Sequence, residues 1–167
     1  MMSAASGSKD LVIRRILNAP VNLVWRSWTE PELVRRWWGP EYYTAPQCRI
    51  DLRVGGKYLF SMRAPAEQGG GDSFTCGVYT RIQHEKSLEF TQQLGDESGN
   101  PIDPQQIGMP PDFPKIMTTE VLFEKMGSFT KLTITSKGWT GGPMFVYALA
   151  GFHQSIDKLE DSFNAGN

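Results

Sequence analysis

Apolar and polar residues alternate over short stretches through most of this chain, which predicts strands wherever the alternation is bounded by turn residues. Leu11 to Leu17 puts Leu11, Ile13, Arg15 and Leu17 on one face and Val12, Arg14 and Ile16 on the other. Gln47 to Leu52 and Lys57 to Arg63 flank Gly55-Gly56 and read as a hairpin, with Tyr58, Phe60 and Met62 alternating inward. Ser73 to Ile82 and Ser87 to Leu94 flank His84-Glu85-Lys86, and Met117 to Lys125 and Phe129 to Lys137 flank Met126-Gly127-Ser128. These seven strands, joined mostly by short turns, predict antiparallel pairing.

Two regions change period. Between Asn18 and Pro40, Val21, Val24, Trp25 and Trp28 fall on one face of a first short helix near residues 20–28, and Leu33 with Trp37 on one face of a second near 31–37. Pro20 suits a first helical turn, and Thr29 with Glu32 three residues on forms a candidate capping box, with Pro31 inside the second helix's first turn. Pro143 to Phe163 then spaces Phe145, Leu149, Phe152, Ile156, Leu159 and Phe163 four, three, four, three and four apart, the stripe of one long amphipathic helix. Gly151 inside that helix costs up to about 1 kcal/mol against alanine and so marks a close backbone contact. Two long loops remain: Ala64 to Asp72, with three consecutive glycines, and Gly95 to Lys115, with five prolines, a lid or a surface excursion.

Composition narrows the function classes. At 167 residues and 40% apolar content, the expected organisation is a tail over residues 1–9 and a single domain over 10–165. Seventeen basic against eighteen acidic residues, net charge -1, give no general attraction to nucleic acid or anionic membrane. The small, polar start lacks the apolar core of a signal peptide and no apolar run is long enough to span a bilayer, so a cytoplasmic protein is expected. Cys48 and Cys76 are too few for a disulfide framework or a metal knuckle and are expected as free thiols.

The order of strand, two short helices, six strands and long final helix, with Ala19-Pro20, Val24-Trp25, Arg35-Arg36-Trp37-Trp38-Gly39-Pro40 and Asp51-Leu52-Arg53-Val54-Gly55-Gly56-Lys57-Tyr58, resembles the SRPBCC or START-like superfamily. It is similar in particular to the bacterial branch related to the activator of the ninety-kilodalton heat-shock chaperone's ATPase. Gly95 to Pro101, Met109-Pro110-Pro111 and Val121-Leu122-Phe123-Glu124 resemble that branch as well, so the likeness runs from Leu11 to Phe163. It implies an α+β helix-grip fold, like that of the birch-pollen allergen. In that fold a seven-stranded antiparallel sheet wraps a long carboxy-terminal helix, with two short helices after strand 1 and a cavity between sheet and helix. The eukaryotic activators carry an additional amino-terminal domain; with residues 1–10 ahead of the first expected strand, a chaperone-gripping domain is not expected here.

No chemistry-bearing motif competes with that reading. His84 and His153 are the only histidines, no ligand spacing suggests a metal, and no nucleophile elbow, dinucleotide fingerprint or phosphate loop occurs, so neither metal nor cofactor is expected. Arg15, in an apolar row, and Arg53 are expected either in structural ion pairs at a sheet edge or as solvated heads on snorkelling stems. The candidate cavity residues are Trp38, Tyr58, Phe60, Met62, Tyr79, Phe90, Phe123, Phe145, Leu149, Phe152 and Ile156, with Tyr79, Gln92, Tyr147 and His153 as polar groups able to orient a ligand. The expected function is binding of a small apolar or amphipathic ligand. The alternatives are an enzyme of the polyketide cyclase or aromatase type, using Tyr79, Tyr147 or His153, and an interaction module like the chaperone activator's second domain. A weak homodimer or a chaperone contact completes the expected partners.

Overall fold

In the computed structural model, which describes residues 9–165, the chain runs through β1 (Lys9–Leu17), α1 (Val21–Thr29), α2 (Pro31–Val34), β2 (Cys48–Ile50), β3 (Lys57–Arg63) and β4 (Asp72–Gln83). It continues through β5 (Ser87–Gly95), β6 (Met117–Met126), β7 (Phe129–Trp139) and α3 (Pro143–Ala165). The strands form one seven-stranded sheet in the order β1-β7-β6-β5-β4-β3-β2, with every neighbouring pair antiparallel. Consecutive hairpins thus build the sheet from β2 to β7, and β1 returns to close the far edge against β7. This is the expected α+β helix-grip architecture. Lys9, expected in the tail, is already in β1 and pairs with Trp139; the rest of that tail lies outside the described residues.

The inward row of β1, Leu11, Ile13 and Leu17, is fully buried against β7 and the helices. Arg15 in the same row reaches α3 instead: its guanidinium lies 2.8 Å from Asp157 Oδ1 and 3.1 Å from Glu160 Oε1, and 3.2 Å from His153 Nδ1. A charge in an apolar row is tolerated because partners on the helix meet it at the rim. Arg53 makes an exposed pair with Asp51 at 2.9 Å.

The hairpin between β2 and β3 needs glycine at its turn. A Cβ on Gly56 would stand 2.0 Å from the carbonyl oxygen of Asp51, so no side chain fits. The capping box does not form: Thr29 is still helical, as the last residue of α1, and its hydroxyl donates back to Trp25 O at 2.9 Å. Glu30 takes the N-cap position of α2, followed by Pro31 in its first turn, and Glu32 pairs with Arg35 instead.

Candidate functional site: a cavity under the final helix

Aromatic packing divides the interior in two. Trp28, Trp37, Trp38 and Phe60 form a chain of ring contacts with centroids 4.7–5.7 Å apart, and Tyr58, Tyr79 and Phe90 continue it with contacts of 4.7–6.0 Å. Between Trp28, Tyr58, Phe60, Tyr79, Leu88 and Phe90 only about 10 Å³ is left empty, room for at most one water. That half is solid core.

The other half is open. A cavity of about 210 Å³ lies between α3, the sheet and two loops. Met62 of β3, Thr75 of β4, Gln92 and Leu94 of β5, Met117 of β6 and Trp139 at the end of β7 form its floor. Ala148, Gly151, Phe152 and Ser155 of α3 form the roof, with Trp38, Gly39 and Pro40 on one side and Phe113, from the loop between β5 and β6, on the other.

Each loop wall is fastened to α3. Asp112 Oδ2 accepts from the backbone N–H of Met144 in the helix's first turn at 3.0 Å, a carboxylate cap where the helix dipole favours negative charge, and Thr140 Oγ1 donates to Asp112 O at 3.2 Å. Phe113 packs edge-on to Trp139 with centroids 5.9 Å apart. On the opposite side Lys158 Nζ donates to Pro40 O at 3.2 Å and Tyr43 O at 3.1 Å, and Gln154 Oε1 accepts from Glu41 N–H at 3.0 Å. Burial lowers the Lys158 pKa. Gly151 faces Pro40, but a Cβ there would lie 3.4 Å from Pro40 Cγ, an ordinary contact with a side-chain ring, so the close backbone contact expected of a glycine inside this helix is not found.

Of the eleven candidate cavity residues, Trp38, Met62 and Phe152 line this space. Tyr58, Phe60, Tyr79 and Phe90 belong to the filled aromatic half. Phe123 packs on Trp25 and Trp28, Phe145 on Trp139, Ile156 is wholly buried core, and Leu149 is partly buried against it. Phe152 is only partly covered, although the helical stripe predicts full burial, because the cavity lies against its ring.

Among the polar candidates, Gln92 alone lines the cavity. Tyr147 points outward, 68% exposed, and His153 sits against Arg15 at the helix flank. Tyr79 is buried in the aromatic core, where desolvation raises its phenol pKa, as it does that of Tyr58. None of the lining side chains is ionisable. The indole N–H of Trp38 is buried without a partner. Among the described residues no group of three or more His, Cys, Asp or Glu is placed to hold a metal, and no helix is long and apolar enough to cross a membrane.

Sequence reasoning missed Thr75, Phe113, Met117, Trp139 and Ser155. Phe113 carried a usable signal, being the one aromatic residue in the proline-rich loop. Trp139 carried another, standing at the end of the last strand just before Gly141-Gly142.

Residues 18–164 match the family described as Activator of Hsp90 ATPase homolog 1-like protein. The chain belongs to this family. Solved structures agree with the START-like helix-grip fold. A Nitrosomonas europaea protein is 28% identical, with 96% of this chain and 95% of that one aligned at a TM-score of 0.72. The AHSA1 protein of Silicibacter pomeroyi is 18% identical over 95% of this chain and all of its own, with a TM-score of 0.73. CalU16 from Micromonospora echinospora is 20% identical over 91% of this chain and 74% of its own, with a TM-score of 0.62. No curated protein sequence matches the chain.

Proposed function

We propose that this family member is a binding protein for a small, largely apolar molecule held between the sheet and α3, and that it works in the reducing environment of the cytoplasm. The observation that carries the reading is the cavity's combination of size and lining. Its roughly 210 Å³ is bounded by Trp38, Met62, Phe113, Met117, Trp139 and Phe152. An apolar cavity of about 150 Å³ accepts benzene, so this one has room for a substituted ring or a small bicycle. Thioether side chains adapt to such ring faces.

The enzyme alternative is disfavoured by the same lining. General acid-base catalysis needs a titrating group within hydrogen-bond reach of the reacting atom, and the three side chains considered for it lie outside the cavity wall. The free thiols of Cys48 and Cys76 fit a reducing compartment.

Titration of the purified chain with toluene, followed by ligand-detected NMR, tests the reading. Saturable uptake of one molecule per chain is expected. Signal that rises linearly to the solubility limit would contradict it.

A further inference from the structure

We propose that the cavity's ligand is a neutral ring compound bearing a carbonyl-type oxygen, and that this oxygen is met by the side-chain NH2 of Gln92. The proposal rests on the binding reading above and adds the polar half of the ligand's chemistry.

A row of four polar side chains crosses the sheet beneath α3. Trp139, Ser136, Thr119 and Gln92 are 6%, 1%, 0% and 8% exposed, and Thr119 and Ser136 are cross-strand partners on β6 and β7. The indole N–H can only donate, and Trp139 Nε1 gives its proton to Ser136 Oγ at 3.0 Å. Thr119 has a single hydroxyl proton, which goes to Gln92 Oε1. The 3.2 Å contact between Thr119 Oγ1 and Ser136 Oγ is then one in which Ser136 donates. In this direction the indole proton and both hydroxyl protons have acceptors. With the Thr119 proton pointing to Oε1, Gln92 turns its oxygen to Thr119 and its NH2 away from the row.

That NH2 has no partner among the described residues. The side-chain polar atoms that are both sealed and unpartnered there are Trp28 Nε1 and Trp38 Nε1, so the Gln92 donor is open, and the space it opens onto is the cavity it lines. Buried amides are normally satisfied on both ends, which makes an unmet donor in a largely apolar wall a place for a ligand acceptor. Thr75 and Ser155, 9% and 5% exposed, line the same space with hydroxyls that also lack a partner among the described residues. All three groups are neutral. A carboxylate or ammonium ligand would be buried with no opposite charge to meet it, so ionised ligands are selected against.

The test compares three probes of one shape by competition NMR on the full chain: acetophenone, which carries a carbonyl, ethylbenzene, which does not, and benzoate, which is charged. Acetophenone is expected to bind about tenfold tighter than ethylbenzene, the increment of one good hydrogen bond, and benzoate far more weakly than either. Gln92→Leu is expected to erase acetophenone's advantage while ethylbenzene still binds. Saturable but equal binding of acetophenone and ethylbenzene by the wild type overturns this proposal and leaves the binding reading standing. An advantage that survives in Gln92→Leu also overturns it, and no saturable binding of any probe removes both readings. Should the variant fail to fold, the side-chain NH2 signals of wild-type Gln92 decide: acetophenone is expected to shift them and ethylbenzene to leave them in place, and equal or absent shifts overturn the proposal.

Discussion

One helical turn separates Phe152 from Ile156 on α3, yet Ile156 is fully buried while the ring of Phe152 borders empty space. Truncating a side chain beside a cavity removes fewer contacts than truncating one inside packed core. Ile156→Ala is therefore expected to cost about 2–5 kcal/mol and Phe152→Ala about 1–2 kcal/mol, read from urea unfolding midpoints. Equal losses would mean that the helix closes over Phe152 in solution. Cys48 offers a second check at this scale. Burial pushes its thiol up from 9.0 to about 12, with Arg35 pulling weakly the other way, and burial raises Cys76 as well. The thiolate is the nucleophile, so at pH 8 iodoacetamide should label both cysteines more than tenfold more slowly in the folded chain than in urea. Because the folded state keeps the Cys48 proton, its contribution to stability is present below pH 9.0 and is lost as pH rises towards about 12. A Cys48→Ala variant should show a shallower loss over that range in pH-dependent melting.

At the scale of elements, α3 is held at both ends of the cavity, and the two fastenings differ in kind. Lys158 and Gln154 tie the helix to backbone groups of residues 40–43, whereas Asp112 caps the helix from a long loop that also delivers Phe113 to the cavity wall. The Asp112 cap is the natural point of opening, since one side chain holds the loop to the helix start. Asp112→Ala is expected to lower stability by about 1 kcal/mol, the cost of a lost cap, and to speed release of a bound probe severalfold, seen as exchange broadening in its NMR spectrum. Unchanged release with the expected loss of stability would mean that Phe113 on Trp139 holds the wall without the cap. The elements themselves were legible in the sequence, because period-two rows and the stripe of α3 depend on local burial alone. The capping box was not: Thr29 and Glu32 have the right spacing, but the choice between capping α2 and ending α1 rests on where the chain turns, and Glu30-Pro31 makes that turn one residue later.

For the molecule as a whole, the pattern of the chain predicted strands and a long helix and the family resemblance implied a sheet gripping that helix, but neither said which part of the apolar interior is filled. Tyr58, Phe60, Tyr79 and Phe90 alternate inward just as Met62 does, and no periodicity distinguishes a ring packed on other rings from one facing a void. The division depends on contacts distant in sequence: Trp38 wedged between Phe60 and Phe152, with centroids 4.8 and 6.3 Å away, and Phe113 brought over Trp139 by a loop with no regular pattern. Gln92 was visible as a polar residue on an inward row, but its role follows only from the row that reaches it through Ser136 and Thr119.

The central claim is that the space under α3 is a ligand site and not a packing defect. Met62 stands in its floor, so Met62→Trp fills it from within. Toluene titration of the wild type and this variant, with thermal melting of both, is the most direct measurement. The account predicts saturable uptake by the wild type, none by Met62→Trp, and melting temperatures within a few degrees of each other, since the added indole occupies existing space. A wild type that takes up no toluene, together with a variant that melts far lower, would contradict it and show the interior to be closed core.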